Sequence, residues 1–522
     1  MSGGALGASS SHPQSMEILL NIHAYPGSSS HRNATTARDS GRNRQTIEVS
    51  FYPSTPPLPS ILFIGSPDLE NPSSAFTVLP RIIRAVEDLI LLRVDIDHVS
   101  SSSSLSREED CDYFIYRADT KSPSLKLLPG PYPFCSDDDV GLVRRDSENY
   151  TVAALVPSST PNVYELHRFH SWVGRWSIRR LSVGEPQRGF PIQIPRRSGR
   201  LLYHNTSTVI AIGGEYGTMG WVDLWRGILL CDVFVDEPTL RGVPLPLPLE
   251  LVTCNNGQGV ELGCPKSLRG IAVIKTSDGT PCLKLAHLEL DTIELPGIID
   301  EETELPSFIM RGWAITTWSN TMMTSSWKDW HRDRRVQSSD ITIDNKLNSG
   351  LLRSGLLCEQ QHSEAKEERA LRNVLVSHPT PCCIGTVRED IVYLMARVKF
   401  LHPKAWALAV DMTNKKLLAA AEFGTERQTG DPAIYCPTTI SKSTNLGAFL
   451  GSLILVGGDP GVGKGSLILQ LASIVSGTIG AGESSAVVYV SGEESNVLPG
   501  TIPPPSTRAI SILKLPDLQR VG

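Results

Sequence analysis

One short unit recurs along this chain and constrains its fold more than any other feature. A buried strand ends on an Asp and a hydrophobic residue, turns, and returns as a second strand. One copy runs Ile228-Leu229-Leu230-Cys231-Asp232-Val233, turns at Glu237-Pro238, and returns through Leu240-Arg241-Gly242-Val243-Pro244. Another runs from Ala407 to Met412, turns at Thr413-Asn414, and returns from Leu417 to Ala421. A looser copy pairs Val163-Tyr164-Glu165-Leu166-His167 with Arg175-Trp176-Ser177-Ile178. Two strands alone cannot cover their own apolar faces, so such units are stable only when neighbours bury them. The pattern predicts a mainly β fold of propeller-like repeated sheets with irregular spacing. A pair of β-sandwiches is the rival arrangement.

Other segments agree with a β-rich body. Ile47, Val49 and Phe51 alternate with Glu48 and Ser50, the period of a half-buried strand. Gly270 to Ile274 meets Cys282 to Ala286 through Ser277-Asp278-Gly279, a hairpin signal. All nine tryptophans lie between Trp172 and Trp406, and the cluster Trp221, Trp225, Trp313, Trp318, Trp327 and Trp330 falls on predicted strands. Their expected role is to fill space between sheets, with an aromatic ligand groove as the alternative.

Composition excludes several function classes. Hydrophobic residues at 40% and charged residues at 20% fit a globular protein, and a formal charge of −6 does not suit a nucleic-acid wrapping surface. The most basic stretch, Arg179, Arg180, Arg188, Arg196, Arg197 and Arg200, has no aromatic ladder and reads as a solvated loop. No run reaches the ~18 apolar residues of a membrane span. Met1 to Gly7 does not read as a secretion leader. The expectation is an intracellular protein, cytoplasmic or nuclear, with an organelle as the remaining option, no membrane partner and unused sequons at Asn33, Asn149 and Asn205. The ten cysteines form no CxxC pair and read as reduced, mostly buried thiols. No metal site is expected, since His167 and His170 belong to a strand.

The expected organisation is a flexible segment over 1–16, a β-rich body over 17–335, a polar linker with a helix (Glu359 to Leu375) over 336–375, more of the β-rich body over 376–443, and a distinct segment over 444–522. Ser100 to Ser104 and the acidic, proline-flanked stretch 291–306 read as exposed loops.

The stretch from Gly220 to Asp232, with Trp327-Lys328-Asp329-Trp330 and Val392 to Ala396 among others, resembles a plant family expanded in grasses, catalogued as domain of unknown function 1618. The resemblance covers about residues 17–443 and implies no chemistry. The pattern is also similar to the propeller-like segments attached to plant F-box proteins. That similarity implies an interaction role and an undetermined protein partner.

In the last segment, Gly458-Asp459-Pro460-Gly461-Val462-Gly463-Lys464 lies between an apolar strand (452–456) and a periodic helix (466–471). Such a loop presents backbone N–H groups and a lysine to a polyphosphate. Candidate nucleotide-binding residues are Gly458, Gly461, Gly463, Lys464, Gly465 and Ser466, for ATP with Mg²⁺. Residues 451–495 resemble the ATPase core of RadA-type DNA repair proteins, which implies Glu493 or Glu494 as the water-activating residue and DNA as a partner. Gly465, however, stands where that family carries the Mg²⁺-binding hydroxyl. Ser466 comes one residue later, about 100° around a helix. The family's four-cysteine module is absent. Only 58 residues (522 − 464) follow the lysine, and Pro516 argues against Ile510 to Leu515 as the next parallel strand. The expected segment is a short, incomplete α/β P-loop element. The leading function is thus a non-enzymatic interaction scaffold. The alternative is an ATP-dependent DNA repair or recombination factor.

Overall fold

The computed structural model describes residues 18–68, 76, 78–95, 111–133, 136–183, 204–246, 265–276, 278–299, 301, 306–357, 371–383, 390–399, 402, 404–423, 435–438, 487–491 and 510–514. They fall into two units, residues 1–450 and 451–522.

The first unit is a ring of six sheets. Blade I is not a plain meander. β1 (Ile18–Asn21) bridges Leu20 to Ser60, and β2 (Tyr25–Pro26), β3 (Ala37–Ser40), β4 (Thr46–Tyr52) and β5 (Ile61–Gly65) pair in the order β2-β5-β4-β3. Five plain antiparallel meanders follow. Blade II is β6 (Arg81–Val86), β7 (Leu89–Asp95), β8 (Cys111–Arg117) and β9 (Ser124–Leu127). Blade III is β10 (Val140–Arg144), β11 (Tyr150–Pro157), β12 (Val163–His170) and β13 (Trp176–Ser182). Blade IV is β14 (Thr208–Gly213), β15 (Thr218–Asp223), β16 (Gly227–Asp232) and β17 (Leu240–Pro244). After the short helix α1 (Pro265–Leu268), blade V is β18 (Arg269–Lys275), β19 (Pro281–Ile299), β20 (Pro306–Asn320) and β21 (His331–Gln337). Helix α2 (Asn345–Arg353) precedes blade VI, which is β22 (Leu375–Cys383), β23 (Asp390–Arg397), β24 (Ala405–Asp411) and β25 (Lys416–Phe423). Finally β26 (Tyr435–Thr438) pairs antiparallel with β1, Ile18 opposite Thr438, and latches the last part of the body to the first.

The core lies between blades rather than within one centre. Six clusters of buried side chains are found among the described residues, and each joins consecutive blades. Ile47, Phe51, Ile90 and Phe114 join I to II; Leu91, Ile115, Val152 and Phe169 join II to III; Leu155, Leu166, Trp221 and Leu229 join III to IV. Ile228, Leu230, Leu283 and Leu285 join IV to V, and Trp313, Ile315, Val392 and Leu408 join V to VI. The sixth, with Leu19, Tyr393, Phe423 and Tyr435, closes VI onto I. Successive residues such as Leu229 and Leu230 therefore serve opposite neighbours, which is why these strands read as unbroken apolar runs. This ring replaces the rival two-sandwich arrangement.

The three recurring units of the sequence occupy the same place in three blades: β12–β13, β16–β17 and β24–β25 are each the outer hairpin. The Asp has a physical role in the tightest of them. Asp411 Oδ1 accepts from the backbone N–H of Thr413 (2.8 Å) and Asn414 (2.9 Å), fixing the turn. In blade IV, Asp232 instead accepts from the Thr218 hydroxyl at 2.5 Å.

Other expectations are corrected. The 291–306 stretch is not a loop: β19 and β20 continue through it as a long hairpin, pairing Ile293 with Ile309 and Ile299 with Pro306. Glu48 and Ser50 are buried rather than solvent-facing, because side chains of the same blade cover them: Arg32 (2.9 Å) and Arg38 (2.5 Å) pair with Glu48, and the Thr36 hydroxyl lies 2.9 Å from that of Ser50. Helix α2 was not foreseen; Asp344 caps it by accepting from the Leu347 N–H at 2.9 Å, and its Leu351 packs into the V–VI core. Most of the helix expected over Glu359 to Leu375, and the serine run at 100–104, lie outside the described residues.

The tryptophans pack and also stitch. Trp221 Nε1 donates to Asp139 O (2.7 Å), Trp330 Nε1 to Pro244 O (2.7 Å), Trp313 Nε1 to Leu371 O (3.0 Å) and Trp176 Nε1 to Pro129 O (2.7 Å). Each bond leaves its own sheet for the backbone next door. Replacing Trp221 by Phe keeps most of the packing but strands a carbonyl, so Trp221→Phe is expected to cost about 1–3 kcal/mol. Trp327→Phe, at a partly exposed position, should stay within about 0.5 kcal/mol. Chemical denaturation of the two variants checks the contrast.

Candidate ligand site on the ring axis

The inner strands β6, β10, β14 and β18, with β26, together line a cavity of about 220 Å³. Its wall is mostly apolar, with Leu142 from β10 and Ile271 and Val273 from β18. The polar exceptions are Arg84 from β6, Thr208 from β14, and Cys436 and Thr438 from β26. Arg84 Nη1 donates to Ile83 O at 2.6 Å and Nη2 to Asp138 O at 2.9 Å, while its Nε–H is buried without an acceptor. Burial pushes its pKa down and pushes the Cys436 thiol up to about 11, so the thiol is neutral.

The segments leading into the inner strands form a polar mouth. Asp138, Asn205, Thr206, Ser207, Asp223, Trp225 and Lys266 line a second cavity of about 150 Å³ there. Lys266 Nζ pairs with Asp138 at 2.5 Å. Asp223 accepts from the backbone N–H of Asn205 (2.9 Å), Trp225 (3.0 Å) and Arg226 (3.2 Å). Burial nevertheless outweighs these bonds and pushes its carboxyl up to about 6. Asp139 is pushed up to about 6 as well, by burial first and by neighbouring Asp138, against the Thr206 hydroxyl. Behind the mouth Arg269 is fully buried, donating Nη1 to Leu224 O at 2.5 Å and lying 5.3 Å from the Trp225 ring centre. The arrangement can hold a small polar group at the mouth and an apolar body on the axis.

Sequence reading named none of the residues of this site as a candidate binding residue. Its one visible signal is Arg84, a charge inside the apolar run Arg81-Ile82-Ile83-Arg84-Ala85-Val86. The predicted nucleotide residues Gly458, Gly461, Gly463, Lys464, Gly465 and Ser466, and Glu493 and Glu494, all lie outside the described residues. In the second unit, β27 (Val487–Ser491) pairs in parallel with β28 (Ile510–Lys514), Tyr489 opposite Ile512. Pro516, which argues against a central parallel strand in this stretch, lies outside the described residues. His167 and His170 lie on β12 as expected, and no group of three metal-ligating side chains occurs among the described residues.

Residues 221–393, from β15 into β23, match the family model described as a protein of unknown function (DUF1618). The match is narrower than the 17–443 span of the resemblance. Among curated proteins, DNA repair protein RadA of Bacillus subtilis is 51% identical over 49 residues, 9% of this chain and 10% of the relative. RadA of Streptococcus pneumoniae is 49% identical over 49 residues, and RadA of Campylobacter jejuni 53% over 45. The chain spans about a tenth of the length of these relatives. Among solved structures, an ancestral GH74 enzyme aligns over 81% of this chain and 42% of its own, at 10% identity and a TM-score of 0.29. A Trypanosoma rangeli sialidase bound to the inhibitor DANA covers 80% and 54%, at 7% identity and 0.27. At such scores none of their chemistry transfers.

Buried histidines make a pH prediction. Burial pushes His204 and His287 down to about 3 and His378 down to about 4, from 6.5. They are neutral when folded but bind protons below pH 6.5 when unfolded, so the stability they contribute is present above 6.5 and lost as pH falls. Asp139 and Asp223 act oppositely: raised from 3.8 to about 6, they contribute stability below 3.8 that is lost as pH rises through 6. With His170, also pushed down to about 4 by burial first, four histidines outnumber two carboxyls, so the melting temperature should fall from pH 7 to pH 4.5. In His287→Phe the fall should be shallower, as measured by thermal unfolding in a pH series.

Proposed function

We propose that the β-rich body is an interaction scaffold, and that its contact arm is the far half of the β19–β20 hairpin. One observation carries this reading. β18 pairs with β19 only as far as His287, and β21 with β20 only as far as Ala314, so among the described residues the hairpin runs on past its blade as a two-stranded ribbon with no further strand on either edge. That ribbon exposes the cross-strand pair Ile293 (41%) and Ile309 (47%), and Ile298 and Ile299 as well. A cluster of exposed isoleucines on a ribbon with two open edges favours a protein contact. Its tip is acidic in sequence, with Asp300, Glu301, Glu302 and Glu304. The partner chemistry that complements it is an apolar surface bordered by Lys and Arg. Affinity purification followed by reconstitution with the purified partner should give a complex that Ile293→Asp with Ile309→Asp weakens at least tenfold. Added salt should weaken it too. Both side chains are exposed, so melting should be unchanged, and a complex indifferent to these changes would overturn the reading.

A second reading, an ATP-binding factor of the RadA type acting on DNA, is favoured by the 49-residue likeness to RadA. Phosphoryl transfer relies on positioning and on charge neutralisation by metal and lysine. Gly465 supplies no hydroxyl for Mg²⁺. Hydrolysis of labelled ATP by the purified chain is therefore expected at background, in Lys464→Ala and unaltered protein alike. Turnover that disappears with Lys464→Ala would favour the second reading.

A further inference from the structure

We propose that the axial cavity binds a small organic carboxylate through the Arg84 guanidinium. The charge on Arg84 is only partly offset by its surroundings: Asp138 and Asp137 lie near enough to favour it, but burial outweighs them. Its hydrogen bonds go to two main-chain carbonyls, its Nε–H finds no acceptor, and among the described residues no carboxylate oxygen lies within ion-pair distance. The nearby carboxylates are already taken. Asp137 holds Arg93 at 2.5 Å and Arg81 at 3.7 Å, and Asp138 holds Lys266 at 2.5 Å. A charge placed in protein without a partner is costly, and an anion filling the space beside it removes that cost. A carboxylate also matches the planar fork of a guanidinium.

The cavity sets the rest of the ligand. At about 220 Å³ it is smaller than the roughly 300–1,000 Å³ of sites for drug-sized molecules. Its walls of Ile83, Val86, Leu142, Ile210, Ile271 and Val273 suit an apolar body, a branched chain or a single ring. Besides the guanidinium, the described lining offers side-chain hydroxyls only from Thr208 and Thr438, too few for the outer oxygens of inorganic phosphate. Cys436 lines the same space as a neutral thiol and does not compete for the guanidinium.

The test uses the full chain and thermal unfolding with benzoate, isovalerate, benzamide and inorganic phosphate as probes. The two carboxylates are expected to raise the melting temperature in a dose-dependent way, and benzamide and phosphate to leave it unchanged. Arg84→Met should abolish the shift and raise the melting temperature of the unliganded protein, because a lone buried charge is gone. A merely structural Arg84 would do the reverse, lowering the unliganded value. Ala272→Phe keeps the arginine and fills the cavity from β18, and it should also abolish the shift, which decides the matter if Arg84→Met does not fold. Ile293→Asp with Ile309→Asp should leave the shift intact, so failure here and failure of the contact arm are separable. A shift that survives both cavity variants, an equal shift with phosphate, or none with either carboxylate would overturn the proposal.

Discussion

Burial of both faces of the middle strands of the blades is the constraint on which the rest of this body depends. A four-stranded meander of apolar runs has no solvent side to offer, and each fully buried Leu or Ile contributes roughly 1.5–3 kcal/mol that one exposed face would forfeit. Neighbours must therefore stand on both sides of every blade, and a row of such blades has unsatisfied ends unless it becomes a ring. The six inter-blade clusters meet that demand, and the one between blades VI and I depends on β1 and β26. The tryptophan N–H bonds add direction to what is otherwise non-directional packing.

The same ring explains where polar chemistry gathers. Side chains in mid-strand are committed to neighbouring blades, so carboxylates, hydroxyls and ammonium groups collect where the inner strands begin, around Asp138, Thr206 and Lys266. That face is also the side from which the β19–β20 ribbon extends, because the turn between the second and third strands of a meander lies beside the start of the first. The axial cavity and the contact arm are in this way products of one topology. Burial then tunes what it encloses: carboxyls such as Asp223 rise, and histidines such as His287 fall.

Much of this was legible in the residues and some was not. The outer hairpin of blade VI was readable because β24 is apolar up to Asp411, whose carboxylate binds the backbone N–H groups of the turn. The 291–306 stretch was misread because prolines and acids mark loops in general, and nothing local tells a loop from a ribbon whose strands satisfy one another. Blade I was hidden because β1 is four residues long and its partner β26 lies more than 400 positions away (435 − 21 = 414). Arg84 passed unnoticed because one arginine in an apolar run looks like a strand edge until the strand is placed on an axis. The phosphate loop, the plainest motif in the sequence, falls outside the described residues.

Joining β1 to β26 also imposes an order of events on the nascent chain. Blades II to V can each pair locally as they leave the ribosome, since their hairpins link near neighbours. The latch cannot form until Tyr435–Thr438 has been made, so the first and sixth blades wait with an open flank for most of translation. Contacts of such long sequence separation are slow to form. A stalled or shortened message ending before that strand would release a horseshoe with two sticky ends, a natural client for chaperones.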